Sequence, residues 1–457
     1  MSEAKGMDIK MHTGAMMMLV LFLSIVLLIF CILKLKIHPF ISLVLAGIFV
    51  GFATGMPLPK ILTSIENGVG GTLGSLAIII GFGTILGKML EVSGGAERVA
   101  RTMLETMGER RAPWVMTLVG LIAGIPVFFE VGFVLLFPLI FIVARQAKMS
   151  PLRVGIPLAI SLMVVHSMVP PHPAAFAITT MLKADVGKVI LYALLIGLPT
   201  AIIAGPLWAK FISRKCSTGV FNESEVKAPT PDEKLPGFGI TLFTILLPLL
   251  IMVSKTISVI YLTKDSMSYN LVTFLGNPIT ALLISVFVAY YTLGLSRGLK
   301  MKDLLSLTEE GFKAIAGILL IIGGGGAFNA ILIDSGLGKE LSNIMTSLHM
   351  NPIILAWLVA SILHLAIGSV TVAMLSAAGI VAPLMTVYPH LSPEIVVLAI
   401  GAGAIGWCHV NDSAFWLVKE FLGLSLPDAF KSFTAATLIA SVVALLGVLL
   451  LAQVVAM

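Results

Sequence analysis

The sequence predicts an all-α polytopic membrane protein from three observations: its composition, the spacing of its apolar runs, and a likeness between its two halves. Apolar residues fill 58% of the 457 positions and charged residues only 11%, with a mean hydropathy of +1.06. A soluble domain must cover its surface with polar side chains, which this composition cannot do.

Apolar segments of helical length fall at 14–33, 38–57, 69–90, 114–144, 154–170, 189–209, 238–256, 277–295, 314–333, 352–387, 394–408 and 433–456. A crossing needs roughly 20 residues, so most of these are single spans. The first is too long for a signal segment and leads directly into another span, which makes it the first membrane helix. Runs 114–144 and 352–387 are too long for one helix and too short for two complete ones with a loop. Their interiors, GIPVFFEVG at 124–132 and GSVTVAMLSAAG at 368–379, favour short segments broken inside the membrane over tilted helices.

The 29 Lys and Arg exceed the 23 Asp and Glu, but they gather in short links: Lys34 and Lys36, then 88–111, 145–153, 210–215 and 297–302. That placement fixes membrane orientation and offers no basic stripe for nucleic acid. The three cysteines, Cys31, Cys216 and Cys408, are far apart in sequence, so neither a disulfide framework nor a cysteine metal site is expected.

The one extended polar segment, 210–237, reads as a linker and divides the chain into a first repeat, 1–209, and a second, 238–457. Residues 66–94, ENGVGGTLGSLAIIIGFGTILGKMLEVSG, pair with 309–336, EEGFKAIAGILLIIGGGGAFNAILIDSG. Phe137-Pro138-Leu139 pairs with Ala382-Pro383-Leu384, and PPHPAAF at 170–176 with HVNDSAF at 409–415. Repeated halves underlie alternating access in many secondary transporters. An odd number of crossings per repeat would invert one half relative to the other, and counting spans leaves that parity open.

The stretch HSMVPPHPAAF at 166–176 sets His166, His172 and three prolines between apolar runs. Unpaired backbone groups are costly in hydrocarbon, and proline breaks a helix interior. The tract therefore lies at the membrane surface or lines a wetted cavity enclosed by protein. Its counterpart brings His409, Asn411, Asp412 and Ser413 into the same setting, and paired interruptions are expected around a transporter's central site. Helix N-termini there would offer amides to an anion, while Thr179, Asn411 and Ser413 would match hydroxyls and carboxylate oxygens; helix capping is the alternative role for each. His166, His172 and His409 are candidate partners of a polyhydroxylated substrate. His172 stands ahead of His166 because it lies within the break.

Glu130 has no charged neighbour for 14 residues on either side. An acid at the bilayer centre costs at least ~2.5 kcal/mol, so Glu130 either carries protons, fills a buried structural hydrogen bond, or sits near an interface. Asp412 is the second candidate acid, with capping as its other role. His166, His172, His364 and His409 supply no ligand geometry, and neither metal nor cofactor is expected. The glycine clusters 69–74 and 322–326 lack the lysine of a nucleotide loop; close helix packing is the first reading and unwinding the second. No nucleophile–base constellation points to an enzyme.

Taken together, HPF at 38–40, GVGGTLGSLA at 68–77, GKMLEVSGGAERV at 87–99, FFEVGFVLL at 128–136, VPPHPAA at 169–175, LLIIGGGGAFNAIL at 319–332 and HVNDSAFWLVKE at 409–420 closely resemble bacterial permeases of the gluconate permease family. That family includes transporters for gluconate, for idonate and related sugar acids, and for D-serine. The resemblance implies a two-repeat secondary transporter of ion-transporter-superfamily type with re-entrant hairpins, acting as a proton symporter in the bacterial inner membrane. The expected partners are a small organic acid, protons and the lipid bilayer, with room for a homo-oligomer. The 276–295 and 351–369 stretches look close to the D-serine permease, whereas 128–136 and 409–420 look gluconate-transporter-like. Gluconate or a related aldonic acid ranks first, D-serine second, and a passive organic-anion channel is the outlying alternative.

Overall fold

Several helices open on a polar cap followed by proline, because the cap side chain satisfies a free amide and proline has none to satisfy. Asn277 Oδ1 accepts from Ile279 N at 3.0 Å and Asn351 Oδ1 from Ile353 N at 2.9 Å. The computed structural model describes residues 2–216, 231–337, 351–388, 390–410 and 412–455. The first half contains α1 (Ser2–Leu33), α2 (Pro39–Ala53), α3 (Leu58–Ser93), α4 (Gly95–Met107), α5 (Ala112–Ala123), α6 (Phe129–Gln146), α7 (Pro151–Met168), α8 (Pro173–Met181) and α9 (Val186–Ile212). The second contains α10 (Phe238–Ser258), α11 (Met267–Leu275), α12 (Pro278–Arg297), α13 (Met301–Asp334), α14 (Pro352–Ile367), α15 (Val370–Val381), α16 (Leu384–Val387), α17 (Pro393–Ile405), α18 (Ser413–Phe421) and α19 (Leu426–Val455). Among the described residues, seven helices are long and apolar enough to cross a bilayer.

Both long apolar runs are interrupted. Pro126 lies between the end of α5 and the start of α6, and Gly368 between α14 and α15. Gly368 has φ 72° and ψ 32°, a left-handed conformation that costs glycine nothing. Two further interruptions separate α7 from α8, across the cis Pro170-Pro171 bond, and α17 from α18. Helix α7 lies at the centre, and every residue from Val154 to Met168 is buried.

Helices α3 and α13 run well past the apolar stretches 69–90 and 314–333. Their polar first turns, around Lys60 and Glu66 and from Lys302 to Lys313, continue the helix where hydropathy gives no signal. The two helices cross antiparallel. Ser64 Oγ donates to Asp334 Oδ2 at 2.6 Å near one end, and Lys88 pairs with Glu310 at 3.4 Å near the other. Between these ties, a Cβ on Gly68 would stand 2.5 Å from Gly326 O, and one on Gly326 would stand 2.4 Å from Gly68 O. Both glycine clusters lie within continuous helix. Gly68 and Gly326 serve close approach, whereas a Cβ on Gly70, Gly71 or Gly74 would meet nothing within 4 Å.

The turn between α8 and α9 joins three helices from different parts of the chain. Asp185 Oδ1 caps α9 by accepting from Lys188 N at 2.9 Å, Lys255 of α10 pairs with Oδ2 at 3.3 Å, and Asp185 N donates to Glu394 of α17 at 3.0 Å. Burial alone would raise the Asp185 pKa, but the Lys188 amide, the Lys255 ammonium and the Thr256 hydroxyl favour the ionised form, and the net shift is downward. A carboxylate held below its unfolded pKa stabilises the fold above that pKa, and the contribution fades as pH falls through the folded value. Asp185→Asn is expected to lower the melting temperature at neutral pH, with the gap to the unsubstituted protein closing below about pH 4. Thermal melts in detergent across that range check this; a gap independent of pH would assign the loss to packing instead.

Candidate functional site

The interruptions of the long runs bring helix starts and polar side chains to one place. A cavity of about 200 Å³ is lined by the first residues of α6, α15 and α18, with α7 and α13 closing it. Its polar lining comprises Glu130, His166, Ser369, Thr371, Asp412 and Ser413. Helix α6 has no side-chain cap, so its first-turn amides remain available to an anion. Ser369 Oγ accepts from Val372 N at 3.4 Å and Asp412 Oδ1 from Ala414 N at 2.7 Å, so α15 and α18 are each capped by a residue that also faces the cavity.

Ser413 Oγ donates to Glu130 Oε1 at 3.1 Å, linking residues 283 apart in sequence. Glu130 is partly exposed. Asp412 is buried, and its Oδ2 lies 2.9 Å from Nε2 of His364 on α14. The other ring nitrogen of His364, Nδ1, bonds to Gly406 O at the end of α17. His364 thus bridges both edges of the α17–α18 interruption. An imidazole isolated in an apolar run gives little notice of a partner 48 residues away, and neither Ser369 nor Thr371 stands out in sequence; the only signal for His364 was a titratable group where hydrocarbon was expected.

The structure gathers Glu130, His166, Asp412 and Ser413 at the cavity and leaves His172, Thr179 and His409 out of its lining. His172 packs against His166 with ring centroids 4.0 Å apart and lines a smaller cavity of about 10 Å³ under Pro171. That volume matches one water. Both His172 ring nitrogens and His166 Nδ1 are buried without a hydrogen-bond partner among the described residues. His166 is thus the nearer of the two to the large cavity, the reverse of the sequence ranking. Thr179 spends its hydroxyl on Ala175 O at 2.7 Å within α8. His409 Nε2 bonds to Leu365 O at 3.0 Å, outside the cavity lining. Asn411 lies outside the described residues. No cluster of metal-binding side chains occurs among the described residues.

Residues 16–455 match the profile of the GntP family permeases. The chain is 51% identical over 447 residues to the D-serine transporter DsdX of Escherichia coli (strain K12), covering 96% of this chain and 99% of that protein. It is 41% identical over 443 residues to the high-affinity gluconate transporter of the same organism, covering 96% and 100%. In fold it is similar to the crystal structure of the Alcanivorax borkumensis YdaH transporter, with a TM-score of 0.62 at 17% identity over 87% of this chain and 88% of that one.

Proposed function

Since the chain belongs to the GntP permease family, an assignment that agrees with a bacterial inner-membrane transporter and with no enzymatic role, we propose that it is a proton-coupled importer of a small hydroxylated carboxylate, with D-serine as the first candidate substrate. The observation that carries this reading is the cavity of about 200 Å³ where the Glu130 and Asp412 carboxyls meet three helix starts. Amides at the start of α6 suit a substrate carboxylate. His166, Ser369, Thr371 and Ser413 suit its hydroxyl, and Glu130 or Asp412 supplies the titrating acid.

The order of substrates reverses the one drawn from sequence, because identity to the D-serine transporter exceeds identity to the gluconate transporter by ten percentage points. Gluconate stays as the second candidate. The two differ electrically: D-serine is a neutral zwitterion, so its uptake with one proton carries charge inward, whereas gluconate with one proton carries none.

Two inverted repeats with re-entrant hairpins belong to the same proposal. Basic residues flank α5–α6 on both sides, Arg110 and Arg111 before it and Lys148 and Arg153 after it, and retention of positive charge in the cytoplasm favours entry and exit by one face. Helix α5, 12 residues or about 18 Å long, is short of a full crossing. Segments 66–94 and 309–336, alike in sequence, lie antiparallel in α3 and α13, as inversion requires.

Proteoliposomes with the exterior made acid test the function by uptake of radiolabelled D-serine, competed by gluconate, idonate and lactate. Accumulation above equilibrium, with competition strongest from D-serine itself, is the expected result. No accumulation of either labelled D-serine or labelled gluconate would remove symport and favour a channel. In the same assay Glu130→Gln tests that acid: exchange kept with accumulation lost would place Glu130 in the proton path, and undiminished accumulation would take it out and leave Asp412.

A further inference from the structure

His364 sits between a group that can only accept a hydrogen bond and a group that accepts when ionised. Gly406 O has no proton to give, so Nδ1 of His364 must carry one. On the far side of the ring, Nε2 lies 2.9 Å from Asp412 Oδ2. A neutral ring already protonated at Nδ1 presents a lone pair at Nε2, and an ionised carboxylate presents another. The contact therefore holds one further proton, either on the ring, giving imidazolium and carboxylate, or on Asp412, giving imidazole and carboxylic acid. Both arrangements make the pair neutral as a unit. Both residues are buried, His364 completely and Asp412 to within 4% of full burial, so loss of that proton leaves an uncompensated charge and two opposed lone pairs at a buried contact.

We propose that His364 and Asp412 together form the site that carries the transported proton, and that the structure holds this site in its loaded form. Loading closes the link from α14 to the start of α18; unloading releases it. The link matters to substrate because both of its ends reach the cavity. Ser369 follows His364 by five residues across the α14–α15 interruption, and Asp412 lines the cavity itself. Other titratable groups face the pair: Glu130 from α6 through Ser413, His166 from α7 across the cavity, and Cys408 and His409 from the interruption. This inference rests on the proposed coupling to protons.

Asp412→Asn provides the test, because its amide can donate permanently to Nε2 while its oxygen still caps α18. The purified, reconstituted variant and the unsubstituted protein are compared for accumulation of radiolabelled D-serine under a pH gradient and for counterflow without one. With a gradient of about one pH unit, one proton per substrate supports about tenfold accumulation. The variant is expected to reach only equal concentrations, with counterflow reduced because Asp412 lines the cavity but no longer dependent on pH. His364→Gln, which gives Asp412 a permanent amide donor, is expected to behave likewise and serves if Asp412→Asn does not fold. Retained accumulation in a folded variant overturns the assignment, as does complete loss of counterflow. An unsubstituted protein that exchanges substrate but never accumulates it sinks the coupling reading itself, whatever the variants do.

Discussion

Gly326→Ala is expected to destabilise the protein by about 3 kcal/mol, at the upper end for inserting one methyl group into a packed site. The added carbon would fall 2.2 Å from Thr72 Oγ1 and 2.4 Å from Gly68 O. A side chain can rotate away, but the Gly68 carbonyl belongs to the backbone of α3, so relief requires the two helices to separate. They are tied near both ends by Ser64–Asp334 and Lys88–Glu310, and separation would strain those contacts too. Gly70→Ala is the matched control, since nothing lies within 4 Å of a Cβ there, and alanine favours a helix by up to ~1 kcal/mol over glycine. Thermal melts in detergent should put Gly326→Ala well below the unsubstituted protein and Gly70→Ala at or above it. Equal losses would mean that the glycines matter for something other than the crossing.

His364→Ala is expected to cost about 3 kcal/mol, the scale for leaving buried hydrogen-bonding groups without their partner. Asp412 would keep its bond from the Ala414 amide but lose the imidazole, and Gly406 O would lose its donor. Replacing both members separates pairing from bulk. If the pair is the main term, His364→Ala with Asp412→Ala should be less destabilised than the two single losses combined. Strict additivity in equilibrium unfolding would show that the residues act independently.

Much of this site was legible in the chain because irregularity inside a membrane is expensive. Glycine and proline marked the interruptions at 124–128 and 368–369, and Glu130 and Asp412 were conspicuous as acids among apolar neighbours. What could not be read was pairing over distance. His364 is an unremarkable imidazole until α14 packs beside the start of α18, and Ser369 becomes a cavity residue only through the fold. Thr179 illustrates the converse: a hydroxyl on an apolar helix bonds its own backbone four residues back as readily as it meets a ligand. The lengths of α3 and α13 were hidden for a third reason. Hydropathy reports where hydrocarbon begins, whereas a helix stops only when its backbone loses partners.

The contact between Gly68 and Gly326 also bears on leakage. A water molecule needs a void of about 10–15 Å³ and two or more polar partners, and backbones this close leave no such void between α3 and α13 at that point. There the crossing leaves no room for a water file that would let protons short-circuit the gradient without carrying cargo.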